Sequence, residues 1–151
     1  MSSPQVSPLV IDANLAVRTI FPIGEGVELR LMERWRQEGR LIYAPELWLA
    51  EMTSVIRRMA YAGLITIQEG KSAVQDMFAL EVQVINADAA LCAAAYNWAE
   101  KLGQSKAYDG FYLALAEKLS LEKESPVEFW TADMRLFNQA QGAGASWVRR
   151  P

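Results

Sequence analysis

Histidine is absent from this chain, and cysteine occurs once, at Cys92. Without an imidazole there is no Ser-His-Asp triad, no Cys-His pair and no His-ligated zinc. A single thiol excludes an internal disulfide and a cysteine zinc cluster. Set among the alanines of 90–95, Cys92 reads as a small buried side chain. Long apolar runs are missing too, since none reaches the roughly 18 residues that a membrane span needs. The opening Met1-Ser2-Ser3-Pro4-Gln5-Val6-Ser7-Pro8 has neither a positive start nor an apolar core, so no secretory signal is expected, and the cytoplasm is the expected compartment. Positive charge is also in short supply: the net charge is −3. A chain that only tracks phosphates is usually basic. An enzyme whose acidic site is neutralised by bound divalent ions escapes that argument.

What is present is an ordinary globular composition. The 151 residues are 52% hydrophobic and 22% charged, which fits one domain spanning 1–151. A domain of this size buries roughly 68–70% of the surface its unfolded chain exposes. Short apolar runs at 9–12, 41–44, 82–85, 128–131 and 145–148 read as strands. Between them, helical patterns cover 24–38, 46–62, 66–80, 88–102, 105–120 and 134–141, with a short helical segment from Ala13. Pro45 opens the second of these, Gly63 stops it, and Thr66 with Glu69 forms a capping box for the next. Ser105 is the expected cap of the helix that follows Gly103. The segment 121–126 reads as a solvent-facing loop. Strands alternating with helices imply a parallel sheet covered on both faces. Ligands of such sheets bind beyond the carboxyl ends of the strands, where strand order reverses.

Four acids stand where a carboxylate has little structural reason to be. Asp12 closes the run Leu9-Val10-Ile11, and Asp133 follows Phe129-Trp130-Thr131-Ala132. Either one can be a helix cap. Glu51 has Leu47, Trp48, Ser54 and Val55 as its neighbours one turn away, a face on which a surface helix does not usually carry a glutamate. Asp109 suits a first turn electrostatically, yet Leu113 and Ala116 continue its face as core. Gly110 beside it lowers helix propensity by roughly 1 kcal/mol relative to alanine, which makes sense if something approaches the backbone closely. Asn14 and Thr131 are polar groups able to support Asp12 and Asp133.

Val10-Ile11-Asp12-Ala13-Asn14, the Glu51 helix, Tyr108-Asp109-Gly110 with Ala114-Leu115-Ala116, and Thr131-Ala132-Asp133 with Phe137 together resemble the PIN domain. More narrowly, they resemble the VapC-type toxins of prokaryotic toxin–antitoxin pairs. The resemblance runs over residues 9–148. It implies a three-layer α/β/α sandwich with a parallel sheet of about five strands, and a divalent-metal-dependent ribonuclease whose metal-site acids fall on Asp12, Glu51, Asp109 and Asp133. Asn14 and Thr131 are then supporting groups. It also implies a homodimer and an antitoxin partner. Many relatives carry a further acid or Asn two places after the last Asp. Arg135 stands there in this chain, so one tightly held ion is expected rather than two.

Hard oxygen ligands without His or Cys select Mg²⁺ or Mn²⁺ over zinc. Such an ion supplies a polarised phosphoryl oxygen and a more acidic bound water. Asp12, Asp109 and Asp133 are the expected ligands, with Glu51 more peripheral or orienting the water. Without metal, the four carboxylates repel one another and at least one pKa rises. Lys106, Arg135 and Arg18 are the candidate contacts to RNA phosphates, with Arg57-Arg58 and Arg149-Arg150 further candidates. Phe21-Pro22-Ile23, Trp48, Met52 and Met59 are either core or a partner surface. A phosphoacceptor receiver domain needs an acidic pair after the first strand and a lysine near the last, and neither is here. A catalytically silent PIN-like module that binds RNA or protein is the alternative.

Overall fold

The computed structural model describes residues 6–151, and the opening 1–5, read above for a signal, lie outside them. Five strands form one parallel sheet in the order β3-β2-β1-β4-β5. They are β1 (Leu9–Ile11), β2 (Ile42–Pro45), β3 (Val82–Ile85), β4 (Glu128–Trp130) and β5 (Val148–Arg149). The helices are α1 (Ala13–Ile20), α2 (Val27–Gln37), α3 (Leu47–Tyr61), α4 (Ile67–Asp76), α5 (Ala89–Leu102), α6 (Tyr108–Lys123) and α7 (Met134–Gly142). No helix among the described residues is long and apolar enough to cross a membrane.

Every residue of β1 and β2 is buried, as expected for strands covered on both faces. Consecutive β4 residues show the two covers directly. The Phe129 ring stacks on Tyr112 of α6 at 5.4 Å, and Trp130 meets Trp35 of α2 edge-on at 5.2 Å. Neighbouring side chains in a strand point to opposite faces, so α6 and α2 lie on opposite sides of the sheet. The expected α/β/α layering is what forms.

Local chemistry sets most boundaries. Asp12 caps α1, Asp88 caps α5, Asp133 caps α7, and Thr66 with Glu69 forms the full capping box of α4. Several expectations are corrected. The second helix begins at Val27 rather than near Gly24, because Gly24 and Gly26 take positive φ, which an α-helix cannot continue through. Residues 77–80 finish α4 as a 3-10 turn. Ser105 is not a cap: α6 starts three residues later, after Ala107, with no side-chain cap bond. Residues 121–123 belong to α6 rather than to a loop, and the last strand is Val148–Arg149. Cys92 is exposed, not buried. Leu91, Ala95, Trp98 and Leu102 form the inward stripe of α5, and Cys92, one residue off it, is turned to solvent. Trp48 and Met52 are core rather than partner surface, while Ile23 is 56% exposed.

Candidate active site

Strand order reverses between β1 and β4: the chain proceeds from β1 outward to β3 on one side, and β4 leads to β5 on the other. The two central strands pair in register, Leu9 beside Glu128 and Ile11 beside Trp130. Their carboxyl ends therefore open at the same place, and the residues that leave them are Asp12 and Asp133. The Asp12 N–H donates to the Trp130 carbonyl at 3.3 Å. The expectation that two carboxylates share the crevice at the reversal point is what the sheet delivers.

Thr131 ties the two together. Its hydroxyl donates to Asp12 Oδ2 and accepts from the Asp133 N–H at 3.0 Å. Asp12 Oδ1 accepts from the Leu15 N–H at 2.9 Å, and Asp133 Oδ1 accepts from the N–H groups of Arg135 and Leu136 at 2.9 and 3.2 Å. Both residues are thus helix caps as well as members of an acidic cluster. Burial pushes the Asp12 carboxyl up to about 6, against the bonds from Thr131 and Leu15, and the charge of Asp133 adds to the rise.

The other two acids arrive on helices. Glu51 is half-buried on α3, and its Oε1 accepts from the Tyr112 hydroxyl of α6 at 2.9 Å. Burial, with the charges of Asp109 and Asp12, pushes its carboxyl up to about 7, although the Tyr112 bond works the other way. Asp109 sits in the first turn of α6 and accepts from Gln104 Nε2 at 2.9 Å. The same Gln104 nitrogen donates to Gln139 Oε1 at 2.8 Å. Burial and the Asp133 charge raise the Asp109 carboxyl, while Gln104 and the Arg135 charge oppose the rise. The mutual repulsion expected among these carboxylates is therefore present.

Gly110 explains why Asp109 can be here at all. A Cβ at Gly110 would lie 2.3 Å from the Ala95 carbonyl oxygen of α5. Only glycine lets α5 approach that closely, which is the close backbone approach its presence suggested. It fixes the first turn of α6, and Asp109 with it.

Tyr112, Gln104 and Gln139 are members of the site that no sequence motif marks. Tyr112 had a signal, since it lies one helical turn after Asp109. Gln104 and Gln139 had none, being loop and helix polar residues far apart in the chain. Asn14 is exposed and borders the site, but among the described residues it makes no hydrogen bond to Asp12.

Two grooves meet at the acids. One, of about 480 Å³, carries Glu51, Asp109, Asp133 and Arg135. The other, of about 670 Å³, runs past Asn14, Ser54 and Arg58. Glu51, Lys106 and Tyr108 line both. Of the candidate phosphate contacts, Lys106 and Arg135 line the groove that holds Glu51, Asp109 and Asp133. Arg18 does not: it pairs with the buried Glu28 at 3.1 Å and lines neither groove. Among the described residues no three acidic side chains converge, in the conformations they adopt, to the spacing a shared ion requires. Each is turned toward its own donor: Asp12 to Leu15 and Thr131, Glu51 to Tyr112, Asp109 to Gln104.

No curated protein sequence matches the chain. Solved structures do match in fold. A protein from Pyrobaculum aerophilum superposes with a TM-score of 0.65 at 14% identity, covering 95% of this chain and 83% of that one. The DNA-bound VapBC complex of Salmonella typhimurium gives 0.61 at 15% identity, covering 97% and 98%. A toxin–antitoxin complex from Klebsiella pneumoniae gives 0.60 at 16% identity, covering 93% and 94%. At such identities the likeness is one of fold. The sequence itself carries the family: acids at the reversal point of a five-stranded parallel sheet accompany a match to the PIN domain over residues 9–141, and the chain belongs to that family of nucleases.

Proposed function

We propose that the protein is a divalent-metal-dependent endoribonuclease and the toxin of a type II toxin–antitoxin pair. The observation that carries the reading is the gathering of Asp12, Glu51, Asp109 and Asp133 at the sheet reversal, where burial and mutual repulsion hold three of their carboxyls above the ordinary range. Among the described residues none of the four has a lysine or arginine within ion-pair distance. Buried like charges of this kind call for an external cation.

The donor set fits a hard ion, being oxygen only. Asp12, Asp109 and Asp133 would hold it, with Glu51 at the periphery. Each carboxylate oxygen has two lone pairs, so the Leu15 and Thr131 bonds to Asp12 leave it able to ligate. Mg²⁺ or Mn²⁺ bound there supplies Lewis acidity toward a phosphodiester and a water of lowered pKa. The protein's own residues do the rest. Thr131 fixes the orientation of Asp12, Tyr112 that of Glu51, and Gln104 that of Asp109. Lys106 and Arg135 attract the phosphate backbone. With Arg135 where a further ligand would be, the site favours one tightly held ion.

The toxin–antitoxin complex and the VapBC complex among the fold relatives support an antitoxin partner, while a homodimer and a cytoplasmic location rest on the family resemblance alone.

The test is incubation of the purified protein with structured RNAs in Mg²⁺ or Mn²⁺, then with chelator. Internal cleavage that chelation stops, and that Asp12→Asn removes, is the expected result. RNA binding without cleavage would favour the silent binding module instead. An adjacent reading frame for a small DNA-binding protein would support the toxin assignment; a lone gene would count against the toxin and leave the nuclease.

A further inference from the structure

The sequence shows no run of alternating aromatic and basic residues. The fold nevertheless places one tyrosine among cations at the acidic site. Tyr108 is the first residue of α6 and 59% exposed. It lines both grooves at the point where they join, beside Glu51 and Lys106, with Arg135 in one groove and Arg58 in the other. Like Tyr96, and unlike Tyr112, Tyr61 and Tyr43, it makes no hydrogen bond, stacking or cation–π contact among the described residues; unlike Tyr96, it lies in both grooves. Its ring is therefore open to a ligand that lies along either groove.

We propose that Tyr108 is a specificity-determining residue: its ring stacks one unpaired base of the RNA, while Lys106 and the arginines on either side contact the flanking phosphates. The substrate then crosses from one groove into the other, and the acids act on the backbone beside the stacked nucleotide. A base still paired and stacked in a duplex cannot offer its face to the ring, so the site selects unpaired segments. Arg58 and Arg135, on opposite sides, make nucleotides necessary on both sides of the cleaved bond. The inference rests on the ribonuclease reading for its chemistry, but the stack is a binding event and is measured without cleavage.

The experiment is fluorescence anisotropy with a short labelled single-stranded RNA and with the same sequence closed into a stem. It is run in Mg²⁺ on an Asp12→Asn background so that the probe survives. Tyr108→Ala is expected to weaken binding of the single strand roughly 5- to 150-fold, the range for losing one base–aromatic stack. Tyr108→Phe keeps the ring and restores the affinity. Tyr96→Ala on α5 removes a comparably exposed tyrosine that lines neither groove and leaves binding unchanged. The closed stem binds more weakly than the open strand and is indifferent to Tyr108→Ala. Unchanged affinity in Tyr108→Ala, or failure of Tyr108→Phe to restore it, would overturn the proposal. The two readings fail separately. Tyr108-dependent binding by a protein that never cleaves sustains the stack and removes the nuclease. Cleavage whose KM ignores Tyr108→Ala removes the stack and keeps the nuclease.

Discussion

The two ends of β4 handle a buried carboxylate in opposite ways. At its amino end, Glu128 is partly buried, and burial alone would raise its carboxyl. Arg40 at 3.0 Å and Arg149 at 3.1 Å, with the Trp130 indole, outweigh that cost and hold it below the ordinary range. At the carboxyl end, just beyond Trp130, the acids gather without a paired cation, and Asp12, Glu51 and Asp109 are all raised. Glu28, also buried, likewise has an arginine partner, Arg18 at 3.1 Å. A carboxylate buried for structure brings its own arginine. Among the described residues the acids at the carboxyl end have no such partner, and the proposed function has the cation come from outside.

The comparison breaks most visibly at Asp12. Asp12→Asn keeps an oxygen for the Leu15 N–H but loses a charge. RNA cleavage should fall by about 10²–10³-fold or more, the scale for deleting one charge-stabilising group in an active site. The metal-free protein should at the same time unfold at a higher temperature, because a desolvated charge is gone. A variant that loses both activity and stability would place Asp12 with Glu128 as a structural acid.

The pH dependence sharpens the same contrast. Asp12 and Glu51 have folded pKa values of about 6 and about 7, above their ordinary 3.8 and 4.5. Protonated carboxyls are therefore favoured by folding. The stability they confer is complete below about pH 4 and is lost as pH rises through about 6 to 7. Thermal unfolding of metal-free protein should show its Tm falling across that window. Added Mg²⁺ or Mn²⁺ should reverse the fall, since an ion that binds only the folded state stabilises it by mass action. Glu128 contributes with the opposite sign, its stabilisation being lost as pH drops through its lowered value.

Tyr112→Phe removes the hydroxyl that orients Glu51 and keeps the stack on Phe129. Activity should drop by about tenfold, the equivalent of one hydrogen bond to a charged group, with kcat falling and RNA affinity retained. A change in affinity alone would assign Tyr112 to substrate rather than to Glu51. The smallest effect is expected at the other end of β4. Glu128→Gln should cost about 1 kcal/mol in chemical denaturation and leave cleavage unchanged. Lost activity there would mean that the two ends are coupled.

Much of this was readable before the fold was known, because it is local. Asp12 and Asp133 advertise themselves by following apolar runs, and capping a helix needs only the three residues that follow. Gly110 in a good helical stretch signalled a close approach, and the Ala95 carbonyl makes it. The unreadable parts depend on distant partners. Gln104 reaches Asp109 through a turn that runs on past Ser105, the expected cap, to Ala107. Nearness to Asp12 in the chain suggests Arg18 as a substrate contact, but Arg18 lies on the last turn of α1 and pairs with Glu28.

What the sequence alone determined is the chemistry available and the elements that carry it: oxygen ligands without imidazole or thiolate, apolar strands, and helices with their stops. These follow from side-chain identity and from periodicities a few residues long. The tertiary structure decided adjacency. It set β1 beside β4, so that two caps became one site, aimed Glu51 at Tyr112 across two helices, and left Tyr108 bare where two grooves meet. Strand order and helix docking are fixed by burial summed over the whole chain, and no local pattern contains that sum.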